Sequence, residues 1–119
     1  STPAQHAALA AFSPATLAIL ETRRQEFKRR RDFLAPALEN LGFRQAAKPE
    51  GAFYVYANCS KLTDNSDRFA RDLLEAAGVA VTPGLDFGRN DPEKYLRFAY
   101  TASVERLTEA VDRIRRFLG

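Results

Sequence analysis

The segment Tyr95-Leu96-Arg97-Phe98-Ala99-Tyr100 places an arginine among aromatic and aliphatic neighbours. Its alternation predicts a strand with Leu96, Phe98 and Tyr100 on one face and Tyr95, Arg97 and Ala99 on the other. A guanidinium there is poor core material and good material for holding a carboxylate, which its flat fork meets with two parallel hydrogen bonds. For a single strand arginine the commoner outcome is an edge position facing water. The remainder of the chain decides between the two.

Few other residues offer chemistry. A lysine that forms a covalent imine needs a dry pocket, where desolvation lowers its pKa. Of the lysines, Lys28 lies in a charged helical stretch, Lys48 and Lys94 in turns, and Lys61 in a polar loop. Ser60-Lys61 superficially resembles a cofactor-lysine dipeptide, but its polar surroundings are wrong for that role. His6 lies on an alanine-rich stretch without an acidic or thiol neighbour and reads as a surface residue. One cysteine, Cys59, excludes an internal disulfide and fits a reducing cytoplasm. One histidine and one cysteine argue against a zinc site built on those ligands. No Ser-His-Asp set, paired-carboxylate pocket or glycine-rich phosphate loop can be assembled. These residues describe an anion-binding arginine without catalytic machinery.

The elements that position Arg97 follow from periodicity and caps. The 119 residues suffice for one domain. No apolar run reaches the roughly 20 residues needed to span a bilayer, and no signal-peptide pattern opens the chain. Thr2, Pro3 and Gln5 predict a capped helix to about residue 12. Ser13-Pro14 opens a long helix to about Leu41, stopped by Gly42, with Leu17, Leu20, Phe27, Leu34, Leu38 and Leu41 near one face. Pro36 predicts a kink near residues 32–36. Strands are expected at 43–46, 53–57 and 79–81, besides the one at Arg97. Ser66 or Asp67 caps a helix ended by Gly78, Thr82-Pro83-Gly84 fits a type II turn, and Ser103 caps a final amphipathic helix.

Arg23, Arg24, Lys28, Arg29, Arg30 and Arg31 form the strongest charge cluster and invite a nucleic-acid reading. On a helix, however, they spread around most of the circumference, and Glu26–Arg30 and Lys28–Asp32 are spaced for ion pairs. A solvated helix face is the favoured reading. The expected architecture is an α+β two-layer sandwich: a short mixed or antiparallel sheet, helices on one face, and a long kinked helix preceding it. Arg97 would then project from the uncovered face. Residues 1–41 supply the short and long helices, and residues 42–119 the sandwich.

Pro49-Glu50-Gly51-Ala52-Phe53-Tyr54, then Val79-Ala80-Val81-Thr82-Pro83-Gly84 with Phe87-Gly88, then Tyr95 to Tyr100, together resemble the C-terminal small domain of fold-type I, pyridoxal-phosphate-dependent aminotransferases of class I/II. Arg30-Arg31-Asp32, with Leu34, Leu38 and Gly42 following, resembles that family's long interdomain helix. The resemblance implies that Arg97 corresponds to the arginine clamping the substrate α-carboxylate. It places Pro83, Gly84 and Phe87 in a loop near the active-site mouth, and Gly51 and Ala52 in a turn facing substrate. It further implies amino-acid and 2-oxo-acid substrates, pyridoxal 5'-phosphate in the full-length enzyme, and a homodimer.

The resemblance assigns the cofactor-bearing lysine, the acidic partner of the pyridine nitrogen and the phosphate cup to a large domain that would precede Ser1. The chain is therefore expected to be a fragment that binds no cofactor, contains no catalytic residue and cannot transaminate alone. The readings from other classes are a free-standing nucleic-acid-binding domain using the basic helix, and a ligand-sensing α+β domain.

Overall fold

The computed structural model describes residues 1–45 and 47–119. Its elements run α1 (Thr2–Ala11), α2 (Pro14–Asn40), β1 (Arg44–Gln45), β2 (Tyr54–Asn58), α3 (Ser66–Ala77), β3 (Thr82–Pro83), β4 (Tyr95–Ala99) and α4 (Val104–Leu118), with two short 3-10 turns between β3 and β4. The strands form one sheet in the order β1-β2-β4-β3, every neighbouring pair antiparallel. The expected α+β sandwich is present, and its sheet is antiparallel rather than mixed.

Caps set most helix boundaries. Ser13 Oγ accepts from the Thr16 amide, and Ser103 Oγ from that of Arg106, satisfying donors that the first turn leaves free. Two expected caps shift by a residue. Ser1, not Thr2, caps α1, since its hydroxyl accepts from the Ala4 amide; Gln5 instead donates its own amide to the Ser1 carbonyl. Asn65 caps α3 through its Oδ1 and the Arg68 amide, because the buried Ser66 hydroxyl is committed to the Pro92 carbonyl, 3.0 Å away. Gly78 ends α3 at φ 64°, a left-handed position where glycine carries no Cβ penalty. The helix α2 is continuous across Pro36, whose missing N–H leaves the Asp32 carbonyl without its helical donor.

The strands also depart locally from expectation. β1 and β2 begin one residue later than periodicity suggests, and the last residue of the first expected strand, Ala46, lies outside the described residues. Residues 79–81 form no ladder. Pairing falls instead on Thr82 and Pro83, opposite Arg97 and Leu96. Proline is tolerated there because β3 is an edge strand and its missing donor interrupts no central ladder. Gly84 does not complete a type II turn; it begins a 3-10 turn, Gly84–Asp86, without a positive φ.

The sheet separates its two faces by side-chain alternation. Val55, Ala57, Leu96 and Phe98 point inward and are buried, and Phe43, Leu73, Tyr100, Leu107, Val111 and Ile114 are among the residues that join them in the core. Phe43 meets Phe69 and Phe98 edge to face. Only Leu34 and Leu38 of the long apolar seam on α2 are buried. Leu17 and Leu20 remain 49% and 46% exposed, so the first half of α2 extends beyond the sandwich and takes no part in its core.

Cys59 is sealed in this core at the end of β2, and burial pushes its thiol up to about 11. Because the folded protein holds this proton more tightly than the unfolded chain, stability is fully present below pH ~9 and declines as pH rises towards about 11. The contribution is at most about 2–3 kcal/mol. Denaturant melts between pH 8 and 11 are expected to show this decline, and Cys59→Ala should flatten part of it. Thiol reagents at pH 8 should modify the native chain far more slowly than the unfolded chain.

Candidate functional site

The register places Arg97 in the middle of the sheet. It lies opposite Tyr56 of β2 on one side and Thr82 of β3 on the other. This arginine is therefore not an edge residue. Alternation turns it, with Tyr95, to the face opposite the core, where Tyr54 and Tyr56 also emerge. The antiparallel ladder fixes this arrangement: a slip of one residue would drive Arg97 into the apolar layer beside Val55.

The guanidinium is held on several sides. Its Nη2 donates to Thr82 Oγ1 at 3.2 Å. Its Cζ lies 4.7 Å from the Phe87 ring centroid and 5.6 Å from that of Tyr54, both within cation–π range. Its Nε is buried and has no hydrogen-bond partner among the described residues. Tyr56 stacks on Tyr95 with centroids 5.0 Å apart and planes 6° from parallel, and Phe87 meets Tyr56 edge-on. Burial raises the Tyr56 phenol above its ordinary value, so it remains a neutral hydroxyl at physiological pH.

These side chains line a pocket of about 430 Å³. Its cations are Arg97 and Arg89, and no carboxylate contributes to the wall. The chemistry on offer is recognition of an anion beside a flat apolar group. Gly84 enters this wall by close approach. A Cβ there would lie within the van der Waals shell of the Pro92 carbonyl and 2.9 Å from the Tyr56 hydroxyl.

The other expected site residues divide between locations. Gly84 and Phe87 join Arg97 at this pocket, while Pro83 lies in the ladder beside it, paired with Leu96. Gly51 and Ala52 instead line a separate hollow of about 310 Å³ against Arg24, Lys28 and Arg31 of α2. Tyr100 ties this turn to the end of the Arg97 strand by donating its hydroxyl to the Gly51 carbonyl at 2.9 Å. Ala52 has φ 61°, a left-handed conformation costly for a residue with a Cβ. Thr82 and Arg89 carry no sequence signal of their own; their nearness to Arg97 depends on strand order and on the path of the loop.

No lysine fits an aldehyde cofactor. Lys28, Lys48 and Lys61 are exposed. The Lys94 ammonium lies 2.9 Å from Asp91, which holds it above the ordinary lysine range, the reverse of what imine formation requires. Among the described residues no group of three potential metal ligands occurs.

The basic cluster on α2 is partly offset: three carboxylates face its six cations, and among the described residues Arg23 and Lys28 make no ion pair. Arg24 pairs with Glu21, Arg29 and Arg30 with Glu26, and Arg31 with Asp32. The expected Lys28–Asp32 pair does not form, because Asp32 meets its immediate neighbour Arg31 at 2.6 Å. Arg24 and Gln25 hold the Glu21 carboxyl down to about 2. Arg30 also reaches the Thr101 carbonyl at 2.8 Å, joining α2 to the segment that follows β4. The interleaved carboxylates interrupt the basic stripe expected of a nucleic-acid footprint.

Comparison with known proteins agrees with the fold. The family model described as aminotransferase class I and II matches residues 1–114, and the chain belongs to that family. It is 42% identical to the aspartate/prephenate aminotransferase of Thermus thermophilus, over 99% of this chain and 30% of that protein. It is 40% identical to the LL-diaminopimelate aminotransferase of Moorella thermoacetica, over 97% of this chain and 28% of the relative. Among solved structures, an aminotransferase from Mycobacterium tuberculosis superposes with a TM-score of 0.88 at 34% identity, covering 94% of this chain and 29% of the other. An aromatic aminotransferase from Pyrococcus horikoshii gives 0.87 at 35% identity, covering 94% and 30%. The chain thus spans about 30% of the length of these relatives. No helix among the described residues is long and apolar enough to cross a membrane.

Proposed function

We propose that the chain is the small domain of a pyridoxal-phosphate-dependent amino acid aminotransferase, and that Arg97 binds the α-carboxylate shared by the amino-acid and 2-oxo-acid substrates. The observation carrying this reading is the Arg97 guanidinium on the open sheet face, in a pocket with aromatic walls and no competing carboxylate. Phe87 and Tyr54 limit its motion and its hydration, which strengthens a charge-assisted pair. Gly84 and Phe87 shape the mouth, and the Gly51-Ala52 turn, strained at Ala52, would face substrate from its own hollow against α2. In this reading residues 1–41 form the interdomain connection and residues 42–119 the sandwich. The whole enzyme is a cytoplasmic homodimer.

The residues present do not fit the cofactor, since every lysine is solvated or paired with a carboxylate. Cofactor chemistry, meaning withdrawal of electrons from the substrate Cα, would belong to a large domain. This chain contributes binding and orientation. Mixed with pyridoxal 5'-phosphate, it is expected to give no stable protein-bound imine absorbance beyond that of exposed amines, and no transamination.

The carboxylate role is tested by discrimination. The enzyme should strongly prefer an amino acid over the primary amine that lacks its carboxylate, and Arg97→Gln should remove most of that preference. A preference unchanged in Arg97→Gln would place the carboxylate elsewhere.

A further inference from the structure

The Arg97 guanidinium needs a particular edge free if it is to receive a carboxylate. It has two useful forks, Nε with Nη2 and Nη1 with Nη2. The first is closed here: Nε is buried, without a hydrogen-bond partner among the described residues and out of reach of a ligand in the pocket. One hydrogen on Nη2 is directed at Thr82 Oγ1. With the Nε side closed, the Nη1–Nη2 edge is the fork that remains, and Nη2 carries a second hydrogen beside the one given to Thr82.

Thr82 is fixed independently of Arg97. It sits opposite Arg97 in the β3–β4 ladder, with Pro83 restricting the backbone immediately after it. A threonine has little χ1 freedom, so its hydroxyl is a stationary acceptor. The rings of Phe87 and Tyr54 restrain the guanidinium but impose no rotation within its own plane. A hydrogen bond in that plane does.

We infer that Thr82 is a positioning residue for the carboxylate-binding arginine: its hydroxyl sets the in-plane rotation of Arg97 so that the Nη1–Nη2 edge meets the substrate carboxylate end-on. This inference rests on the reading of Arg97 as the carboxylate site. It adds a residue that never touches substrate and acts only through the arginine. Because the bond exists before substrate arrives, removing it frees the guanidinium to rotate, and part of the binding free energy is then spent on ordering it again.

The test uses Thr82→Val, which keeps the branched shape and loses the acceptor, and Thr82→Ser, which keeps the acceptor. Both are compared with Arg97→Gln in the enzyme of which this chain is proposed to be the small domain. Thr82→Val is expected to raise KM for amino acid and 2-oxo acid by about 5- to 30-fold, with kcat within about threefold, the pattern of lost uniform binding. Thr82→Ser should restore KM to within about threefold of the parent. Thermal midpoints of all three chains should agree closely, so a general loss of structure would not reproduce the split between KM and kcat.

If Arg97→Gln raises KM steeply while Thr82→Val matches the parent, the Thr82 inference is overturned and the carboxylate reading stands. If Thr82→Ser is as impaired as Thr82→Val, the hydroxyl is not the cause, and the inference again fails. If Arg97→Gln itself leaves KM and kcat unchanged, the carboxylate reading falls and the role of Thr82 falls with it.

Discussion

Arg97→Ala in the enzyme of which this chain is proposed to be the small domain is expected to lower kcat/KM for amino acids by about 30-fold to several thousand-fold. The lower figure corresponds to about 2 kcal/mol and the upper to about 5 kcal/mol, the range found when one partner of a desolvated charge pair is removed. Several features favour the upper half. The guanidinium contacts two aromatic rings, and its Nε is out of solvent. Arg89 shares the pocket but lies on the exposed loop, where a cation is screened by solvent and salt. Arg97→Lys should recover only part of the loss, because an ammonium gives a point charge without the planar fork. Steady-state kinetics with a pair of amino acids and their 2-oxo acids checks this directly. Equal kcat/KM in parent and Arg97→Ala would remove Arg97 from the site.

The second large effect concerns Gly84. Gly84→Ala is expected to destabilise the chain by about 3 kcal/mol, as overpacking against an immovable neighbour does. The added methyl would collide with the Pro92 backbone carbonyl and press on the Tyr56 hydroxyl. The carbonyl cannot simply retreat, because it already accepts from the buried Ser66 hydroxyl and so anchors the start of α3. Relief would therefore move the loop between β3 and β4, and with it Phe87 against Arg97. Urea unfolding should show a lower midpoint with an unchanged slope. Gly51→Ala supplies the contrast, since a Cβ there has open space and no positive φ; its effect should stay within about 0.5 kcal/mol. Equal midpoints for the two variants would show that Gly84 is not required for close approach.

Several features were legible in the residues because they depend on local physics. Ser13 and Ser103 announce helix starts, and Gly42 and Gly78 announce stops, through donors, acceptors and φ angles that neighbouring residues share. The two faces of β4 follow from alternation alone, which is why Leu96 and Phe98 enter the core and Arg97 does not. Where a residue had competing partners, local reading failed. Ser66 is chemically suited to cap α3, yet its hydroxyl goes to Pro92, so Asn65 takes the cap. Val79 and Val81 suggest a strand at 79–81, but a ladder forms only where a partner strand lies alongside, and that is at Thr82 and Pro83.

The candidate site divides along the same line. Type and alternation established that Arg97 is a guanidinium on an uncovered sheet face, and that the chain has no lysine suited to covalent chemistry. Family motifs added the expected neighbours Pro83, Gly84 and Phe87. Tertiary structure alone made Arg97 central by inserting β4 between β2 and β3. The same strand order brought Thr82 within hydrogen-bonding distance, although it lies 15 residues away along the chain. It also sent Gly51 and Ala52 to a neighbouring hollow instead of the Arg97 pocket. Alternation and capping are set by bonds between near neighbours and can be read along the chain; which strands lie side by side is set by burial of the whole core, and only the folded molecule decides it.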